Sequence, residues 1–461
     1  MSNSSGTEFQ HEKWSSPTVF MLATIGAAVG LGNLWRFPFV AGQNGGAAFL
    51  IIYVGFVLLL GLPVMMAELA MGRRGGGSPI ASMRKLAIEA GAKPFWAAIG
   101  WISILVPLIG MSYYSIVGGW SIDYVFKAAV NSFADMSGKD SEDTFNLVLA
   151  SPWRLLFFHG LFIAAGVFVV ARGVGKGIEA VSRYMMPALF AILVVLVINS
   201  IFNADIGRGI DFLFNPRFDQ ITWNIVAMAM GQAFFSLAIG VGVMLTYGAY
   251  VPGNVSLPKA AFMIALADTG VAILAGVAIF PVVFANGLDP AGGEGLIFVT
   301  LPIAFGNMQL GYLVGLLFFV LLFFAAYSSI LGMLEPVVSF LEEQRGFSRP
   351  KMAVLVGFGC WLLGIAAALS FNVWADVRPL AAIPYFADKS IFGLLDFSIA
   401  NFLLPLNALL IAVFAGWILT SNTILEELGV QNETLKRFLH IVLRFVAPVL
   451  IASIFYTSLT S

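Results

Sequence analysis

Residues 26–36 read Gly26-Ala-Ala-Val-Gly30-Leu-Gly32-Asn33-Leu-Trp-Arg36 within an otherwise apolar stretch of the chain. Three glycines in seven residues weaken a helix, because glycine has too much conformational freedom to favour one. Inside a bilayer, the backbone groups freed by such a break are costly unless they bind something or line a wet cavity. An arginine within a membrane segment is by default a functional residue. The stretch therefore predicts a broken transmembrane helix that forms an ion and solute site.

The composition of the whole chain places this stretch in a membrane protein. Of 461 residues, 59% are hydrophobic and only 11% are charged, and the mean hydropathy is +0.92. A soluble domain cannot have that balance, so we predict an all-α polytopic protein embedded in the lipid bilayer. The net charge of −1 gives no basic surface for nucleic acid. The single cysteine, Cys360, lies in an apolar segment and is expected to be a core residue.

Apolar segments of about 20 residues or more predict eleven transmembrane helices, spans 1 to 11. A shorter apolar stretch at residues 296–308 is predicted to be an external re-entrant or interfacial helix. Lysine and arginine predominate in the loops that are internal if the N-terminus is cytoplasmic, which places the C-terminus outside. The approximate limits of the spans are residues 18–40, 46–70, 95–126, 155–172, 178–201, 222–250, 259–286, 311–341, 350–371, 393–420 and 438–459.

A second interrupted segment lies in span 6, where residues 231–242 read GQAFFSLAIGVG. Spans 1 and 6 begin two halves of five spans each, and an odd number of spans inverts the second half relative to the first. Interrupted helices at corresponding positions of inverted halves indicate a transporter site, whereas glycine for close helix packing is the alternative interpretation. The predicted division is a cytoplasmic segment over 1–17, five-helix repeats over 18–201 and 222–420, and an additional helix over 438–459.

Hard oxygen atoms within spans 7 and 8 point to a bound cation. Asp268 lies in the middle of span 7, where a carboxylate is costly unless a cation lies beside it. Ser328 and Ser329 are adjacent hydroxyls that can face a broken helix or bond back to their own helix. Sodium prefers such oxygen ligands. The three histidines lack the spacing of a metal site, and no nucleophile motif or acid–base pair is evident, so we expect no enzyme.

Several motifs resemble those of the neurotransmitter:sodium symporter family, and in character those of its bacterial members of the leucine and tyrosine type. The resemblance runs from about Trp14 through span 11. It implies an inner-membrane transporter that imports neutral, hydrophobic L-amino acids with sodium by alternating access. The motifs are Gly-Asn-Leu-Trp-Arg-Phe-Pro at 32–38, Asn44-Gly45-Gly46, Tyr113-Tyr114, the stretch from Gln232 to Ser236 and the two serines of span 8.

The resemblance implies two sodium sites and one substrate site, with sodium as the only metal ion. Phe234 would form an aromatic lid over the substrate. Sodium site 1 would consist of Ala28, Asn33, Ser236 and Asp268, and sodium site 2 of Gly26, Val29, Ala325, Ser328 and Ser329. The substrate would be surrounded by Ala28, Gly30, Leu31, Gly32, Gly110, Tyr114, Phe234, Phe235, Ser236, Ala238, Val241, Ser329 and Met333.

The resemblance also implies gates at the two ends of this site. Arg36 and Asp396 would pair across the outer vestibule. Trp14 and Glu343 would belong to an inner gate, whose pairing the sequence leaves open. Asp268 stands where some relatives have asparagine, and a built-in carboxylate suggests that transport does not need chloride.

Two alternative functions share the same fold. One is a sodium-coupled carrier of a monoamine or osmolyte, and the other is a channel or an amino-acid sensor. Gly30 argues against a monoamine, because the amine carriers of this family resemble one another in having aspartate at that position. The preferred amino acid, the sodium stoichiometry, proton counter-transport and the oligomeric state stay open at the level of sequence.

Overall fold

The computed structural model describes residues 12–291, 295–345, 347–419 and 421–460, and every regular element in this part of the chain is a helix. Residues 1–11 of the predicted cytoplasmic segment lie outside the described residues. The helices at the predicted spans are Pro17–Ala28 with Gly32–Gln43 (span 1), Ala47–Gly75 (span 2), Pro94–Ala129 (span 3), Pro152–Val170 (span 4), Val174–Asn203 (span 5), Trp223–Ser236 with Val243–Ala249 (span 6), Leu257–Ala285 (span 7), Gly311–Gln344 (span 8), Arg349–Leu369 (span 9), Ile391–Ile418 (span 10) and Glu433–Thr457 (span 11).

The all-α membrane class is confirmed, whereas the count of eleven spans is not. In the described part of the chain, nine helices are long and apolar enough to cross a membrane, and the bent pair of span 1 adds a tenth. Span 6 is split into helices of 14 and 7 residues, each too short to cross a hydrocarbon layer of about 30 Å by itself. The predicted short helix is present as Leu296–Asn307. Further short helices are Pro79–Glu89, Gly138–Ala150, Ile206–Phe214 and Ser421–Leu428.

Span 1 is broken at the glycines that predicted the break. The first helix ends where Val29 takes an extended conformation with φ −66° and ψ 104°. The chain resumes at Gly32 with a π-helical turn, and the two helices are bent by 48°. Asn33 accepts a 3.0 Å hydrogen bond from the Gly30 amide, and Gln232 donates one of 2.8 Å to the Gly32 carbonyl. Side chains thus satisfy backbone groups that lipid could not.

Span 6 is broken through a helix-terminating turn. The Ile239 amide donates a 3.1 Å hydrogen bond to the Phe234 carbonyl. The Ala238 amide donates one of 3.2 Å to the Phe235 carbonyl, which completes the pattern of a Schellman helix end. Ala238 occupies the left-handed position of this turn with φ +52°, a conformation that disfavours any residue with a Cβ atom.

Two buried side chains hold the backbone beyond this turn. The Gly240 amide donates a 2.6 Å hydrogen bond to Oε1 of Glu68, and Asn407 donates one of 2.7 Å to the Gly240 carbonyl. Glu68 belongs to span 2 and Asn407 to span 10, and neither side chain is accessible to solvent. Because unpaired backbone groups are costly at this depth, both contacts stabilise the break.

The second half of span 6 packs with its backbone against that of span 2. A Cβ atom on Gly72 would lie 2.0 Å from the carbonyl oxygen of Leu245, and one on Gly248 would lie 2.6 Å from that of Leu69. Close backbone approach through small residues is a common way to pack helices in membranes. These glycines therefore set the position of span 6 in the bundle.

Gly72→Ala is expected to lower the melting temperature of the detergent-purified protein, because the added methyl group would overlap the Leu245 carbonyl. Overpacking of this kind typically costs about 1–3 kcal/mol. Gly55→Ala is the matched control: it also lies in span 2, and nothing lies within 4 Å of a Cβ atom placed there. The control should leave the melting temperature unchanged or slightly raised. Equal melting temperatures for the two variants would contradict this packing argument.

Candidate functional site

A cavity lies between the two helix breaks, inside the bundle. It is bounded by the broken parts of spans 1 and 6 and by side chains of spans 3, 8 and 10. Its described lining contains hydroxyl groups and backbone at the breaks but no charged side chain. The lining residues are Ala27, Ala28, Gly30, Leu31, Gly32, Val106, Gly110, Tyr113, Tyr114, Phe235, Ala238, Val241, Val243, Ser329, Met333, Ile399 and Leu404.

The residues that the resemblance implied for the substrate line this cavity, apart from Phe234 and Ser236. Val106 is an additional lining residue that lies one helical turn before Gly110, so the helical spacing could have indicated it. Ile399 lies in a π-helical stretch of span 10 that gave no signal in the sequence. The other lining residues without a sequence prediction are Ala27, Tyr113, Val243 and Leu404.

Of the two adjacent phenylalanines in span 6, Phe235 contributes its ring to the cavity, whereas the sequence had suggested Phe234 as the lid. Phe235 lines the cavity, and the guanidinium carbon of Arg36 lies 4.5 Å from the centre of its ring. Phe234 is buried in the bundle with 3% exposure and is not part of the lining. Successive helical side chains point about 100° apart, so the packing of span 6 decides which ring reaches the cavity.

Asn33, Ser236 and Asp268 form a buried cluster beside the break of span 1. Asn33 donates from Nδ2 to Ser236 Oγ at 2.9 Å and to Asp268 Oδ1 at 2.8 Å. Ser236 donates to Asp268 Oδ2 at 2.6 Å, and the Tyr53 hydroxyl lies 3.5 Å from the same oxygen. The three side chains of the cluster are inaccessible to solvent. The structure therefore brings together the side chains implied for sodium site 1, with Ala28 in the adjacent cavity lining.

The carboxylate of Asp268 is surrounded by neutral groups. Its partners are the amide of Asn33 and the hydroxyls of Ser236 and Tyr53, and none of the ion pairs among the described residues includes it. A buried carboxylate without a counter-ion is costly. Carboxylate, amide and hydroxyl oxygens fit a hard cation such as sodium. Among the described residues, no group of three His, Cys, Asp or Glu side chains offers a different metal site.

Ser328 and Ser329 join span 8 to the broken end of span 1. Ser328 Oγ lies 3.0 Å from the Ala325 carbonyl oxygen and 3.3 Å from that of Val29. Ser329 Oγ donates to the Ala325 carbonyl at 3.3 Å. Gly26 permits the close contact between the helices, since a Cβ atom there would lie 3.2 Å from Ser328 Cβ. The residues implied for sodium site 2 thus meet at one junction.

Arg36 and Asp396 lie near Tyr113 without forming a direct ion pair. Tyr113 lies close enough to both charged side chains to interact with them electrostatically. Within the described residues, no ion pair of 4.0 Å or less joins Arg36 to Asp396. Both charges of the predicted outer gate therefore lie in the neighbourhood of Tyr113.

Trp14 and Glu343 are anchored to different partners. The Trp14 indole donates a 3.0 Å hydrogen bond to the Tyr247 carbonyl and packs edge-on against the Tyr247 ring at 5.0 Å. Glu343 accepts a 2.8 Å hydrogen bond from the Ser78 amide, before the helix Pro79–Glu89. Trp14 thus ties the start of span 1 to the end of span 6, whereas Glu343 ties span 8 to the segment after span 2.

The segment before span 1 is also fastened to the start of span 5. Glu12 accepts hydrogen bonds from the amides of Val174 at 2.7 Å and Gly175 at 3.0 Å. Ser15 donates from its amide and its hydroxyl to the carboxylate of Glu179, both at 2.7 Å. These contacts were not predicted from the sequence, since no local pattern connects residues that lie this far apart in the chain.

A cavity enclosed by two broken membrane helices is the arrangement of a secondary transporter. The sequence profile of the Sodium:neurotransmitter symporter family matches residues 11–146 and 150–461, and the chain belongs to this family. It is accordingly a multi-pass membrane transporter of a sodium-dependent family and not an enzyme.

Full-length relatives support this assignment. The chain is 36% identical over 446 residues to an uncharacterised sodium-dependent transporter of Bacillus subtilis strain 168, with 96% of each chain covered. It is 31% identical over 458 residues to an uncharacterised sodium-dependent transporter of Haemophilus influenzae, with 98% of each covered. The crystal structure of MhsT in complex with L-phenylalanine has 38% identity and a TM-score of 0.89, covering 97% of this chain and 100% of MhsT.

Gly30→Ala is expected to destabilise the protein, because a Cβ atom there would lie 2.3 Å from Ser329 Oγ. The melting temperature should fall by an amount that corresponds to about 1–3 kcal/mol. The double variant Gly30→Ala with Ser329→Ala removes the overlapping oxygen and should recover most of the loss, which a double-mutant cycle measures. Additive effects of the two substitutions would show that they do not share this contact.

Proposed function

We propose that this protein is a sodium-coupled symporter that imports neutral, hydrophobic L-amino acids by alternating access. The observation that carries the proposal is the central cavity, whose described lining combines backbone at two helix breaks with apolar side chains. Oxygen clusters suited to sodium lie beside it. MhsT, similar over almost the whole chain, was solved with L-phenylalanine.

Polar backbone at the breaks would hold the common part of an amino acid. The Leu31 amide and the Tyr114 hydroxyl lie 3.3 Å apart at the cavity, where both could donate to a substrate carboxylate together with the Gly32 amide. Exposed amides at the start of a half-helix favour such an anion. The carbonyls of Ala28 and Phe235, with that of Ser236, are the proposed acceptors for the ammonium group.

The cavity wall would select the side chain of the substrate. Its described residues are apolar or carry neutral hydroxyls, so a lysine or glutamate substrate would be buried without a partner. Gly110 leaves open space, since the nearest atom to a Cβ placed there is Met333 Sδ at 3.9 Å. Large neutral residues such as Leu, Met, Phe, Tyr or Trp therefore suit this pocket. Gly30 leaves little room for the aspartate of amine carriers, because a Cβ there would lie 2.3 Å from Ser329 Oγ and 3.1 Å from the Tyr114 hydroxyl oxygen.

Transport of this substrate would be coupled to the movement of two sodium ions. Sodium site 1 would use Ala28, Asn33, Ser236 and Asp268, and be completed by the substrate carboxylate. Sodium site 2 would lie at the junction of spans 1 and 8, where carbonyl and hydroxyl oxygens face one another within 3.3 Å. The first ion would couple binding of the substrate directly to binding of sodium, since the substrate carboxylate and the cation neutralise each other's charge.

The gates follow from the aromatic and charged residues at either end of the cavity. We place the aromatic lid at Phe235, which lies under Arg36, and the outer gate at Arg36 with Asp396. Trp14 and Glu343 would act at the inner end. With this assignment we also propose a cytoplasmic N-terminus and an external C-terminus, with the protein in the inner membrane of the cell.

Asp268 is expected to be essential for sodium-dependent uptake into proteoliposomes. Asp268→Ala removes the charged ligand and should abolish the response to a sodium gradient. Asp268→Asn keeps an oxygen ligand but removes the charge, and should make uptake weaker or dependent on chloride, whereas the unaltered protein should transport equally with or without chloride. Normal sodium-driven uptake by Asp268→Ala, or steep chloride dependence of the unaltered protein, would contradict the proposed site.

Gly110→Val is expected to discriminate between substrates, because its γ-methyl groups would enter the open side of the cavity. In competition binding, the affinity for L-tryptophan and L-phenylalanine should fall about tenfold or more, and that for smaller aliphatic amino acids should fall less. Gly110→Ala is the control and should change little, since its Cβ would lie 3.9 Å from the nearest atom.

Two outcomes would count against the pocket assignment. One is that a charged amino acid or glycine competes best with the unaltered protein. The other is that Gly110→Val weakens all substrates equally, which would show a general disturbance of the site instead of a loss of space.

A further inference from the structure

Arg444 lies in span 11, away from the transport cavity. Its guanidinium carbon is 4.4 Å from the ring centre of Trp417 and 5.6 Å from that of Phe445. Its Nε is buried and has no hydrogen-bond partner among the described residues. None of the ion pairs in the described part of the chain includes Arg444. Because a charged group in a membrane segment is costly without a counter-charge, a ligand outside the chain is indicated.

The contact between spans 10 and 11 holds Arg444 in place. Trp417 donates from its indole nitrogen to the Arg444 carbonyl at 2.6 Å, within the π-helical turn Val442–Val446. A Cβ atom on Gly416 would lie 2.7 Å from the Cα of Arg444, so glycine is needed for this approach. A guanidinium stacked on an aromatic ring keeps its N–H edge free for an oxyanion.

Further basic residues share this face of span 11. Lys436, His440 and Arg444 are each four residues apart, and Arg437 precedes Arg444 by seven, so all four side chains lie along one side of the helix. Glu433 pairs with Lys436 at 2.7 Å and offsets its charge. Arg437 is exposed and belongs to none of the ion pairs of the described residues. The face therefore keeps a net positive charge.

Apolar side chains around this basic face are exposed on the protein surface. Trp417 is 51% exposed, Phe445 50% and Ile441 51%. In a membrane-spanning helix, such residues contact acyl chains. These features match the two parts of a phospholipid. The arginine fixed between aromatic rings and the neighbouring cations suit its phosphate, and the apolar rim suits its hydrocarbon.

We propose that the basic face of span 11 at Arg444 binds an anionic phospholipid. The phosphate accepts charge-assisted hydrogen bonds from the Arg444 guanidinium, and the negative headgroup lies towards Arg437 and His440. The acyl chains lie on Ile441 and Phe445. Phosphatidylcholine has the same phosphate but no net charge, so it binds more weakly. This site is separate from the proposed transport function.

Native mass spectrometry of the full chain, with phosphatidylglycerol or phosphatidylcholine added, tests the proposal. The unaltered protein should bind phosphatidylglycerol in preference. Arg444→Gln should lower the affinity for phosphatidylglycerol about fivefold to tenfold, and Arg444→Lys should lower it less. Arg183→Gln is the matched control, because Arg183 is an exposed arginine of span 5, and it should leave the affinity unchanged.

Arg437→Gln provides a second variant in case Arg444→Gln fails to fold, and it too should weaken binding of phosphatidylglycerol selectively. Equal affinity of the unaltered protein for both lipids would overturn the proposal. So would an affinity for phosphatidylglycerol that neither substitution changes. If inorganic phosphate displaces phosphatidylglycerol at equal concentration, the site recognises a free anion and the lipid assignment is wrong. The readout is lipid binding alone, so it is independent of whether amino acids are transported.

Discussion

Buried backbone amides and carbonyls need hydrogen-bond partners, and this need governs how the two broken helices are built into the bundle. Lipid cannot satisfy the amides and carbonyls that two helix breaks release. The chain satisfies them with side chains from distant spans: Gln232 donates to Gly32, while Glu68 and Asn407 hold the two sides of Gly240. The breaks are therefore stable features of the fold, and the remaining exposed backbone is free to face the central cavity.

Asn33 both satisfies a backbone amide at the break in span 1 and belongs to the candidate cation site. Asn33 accepts from the Gly30 amide with Oδ1 and donates with Nδ2 to Asp268 and Ser236. The conformation of the break in span 1 is thus linked to the oxygen cluster formed with spans 6 and 7. Under the proposed mechanism, a cation that binds to these oxygens also affects the backbone that would hold the substrate. Binding of the cation and binding of the substrate would therefore be coupled through directly contacting groups.

Glycine has two distinct roles in this bundle, and they explain why it is so frequent in membrane segments. At the breaks it adopts backbone conformations that other residues avoid, as Gly240 does with φ +78°. Elsewhere it removes bulk between helices, as Gly72 does against the Leu245 carbonyl and Gly416 against Arg444. In both roles the effect depends on neighbours in space, so the same residue type at Gly55 meets nothing within 4 Å.

From the residues alone, the helical membrane class and the two breaks could be predicted, whereas most residues of the central cavity were implied by the resemblance to the symporter family. The breaks were predictable because glycines, carboxylates and hydroxyls in apolar spans are too costly to be incidental. The packing of the helices was needed to show that Phe235 faces the cavity while Phe234 is buried in the bundle, and that Arg36 and Asp396 both lie near Tyr113. Adjacent apolar residues look equivalent in a sequence, and the rotation of each helix against its neighbours determines which of them reaches the site.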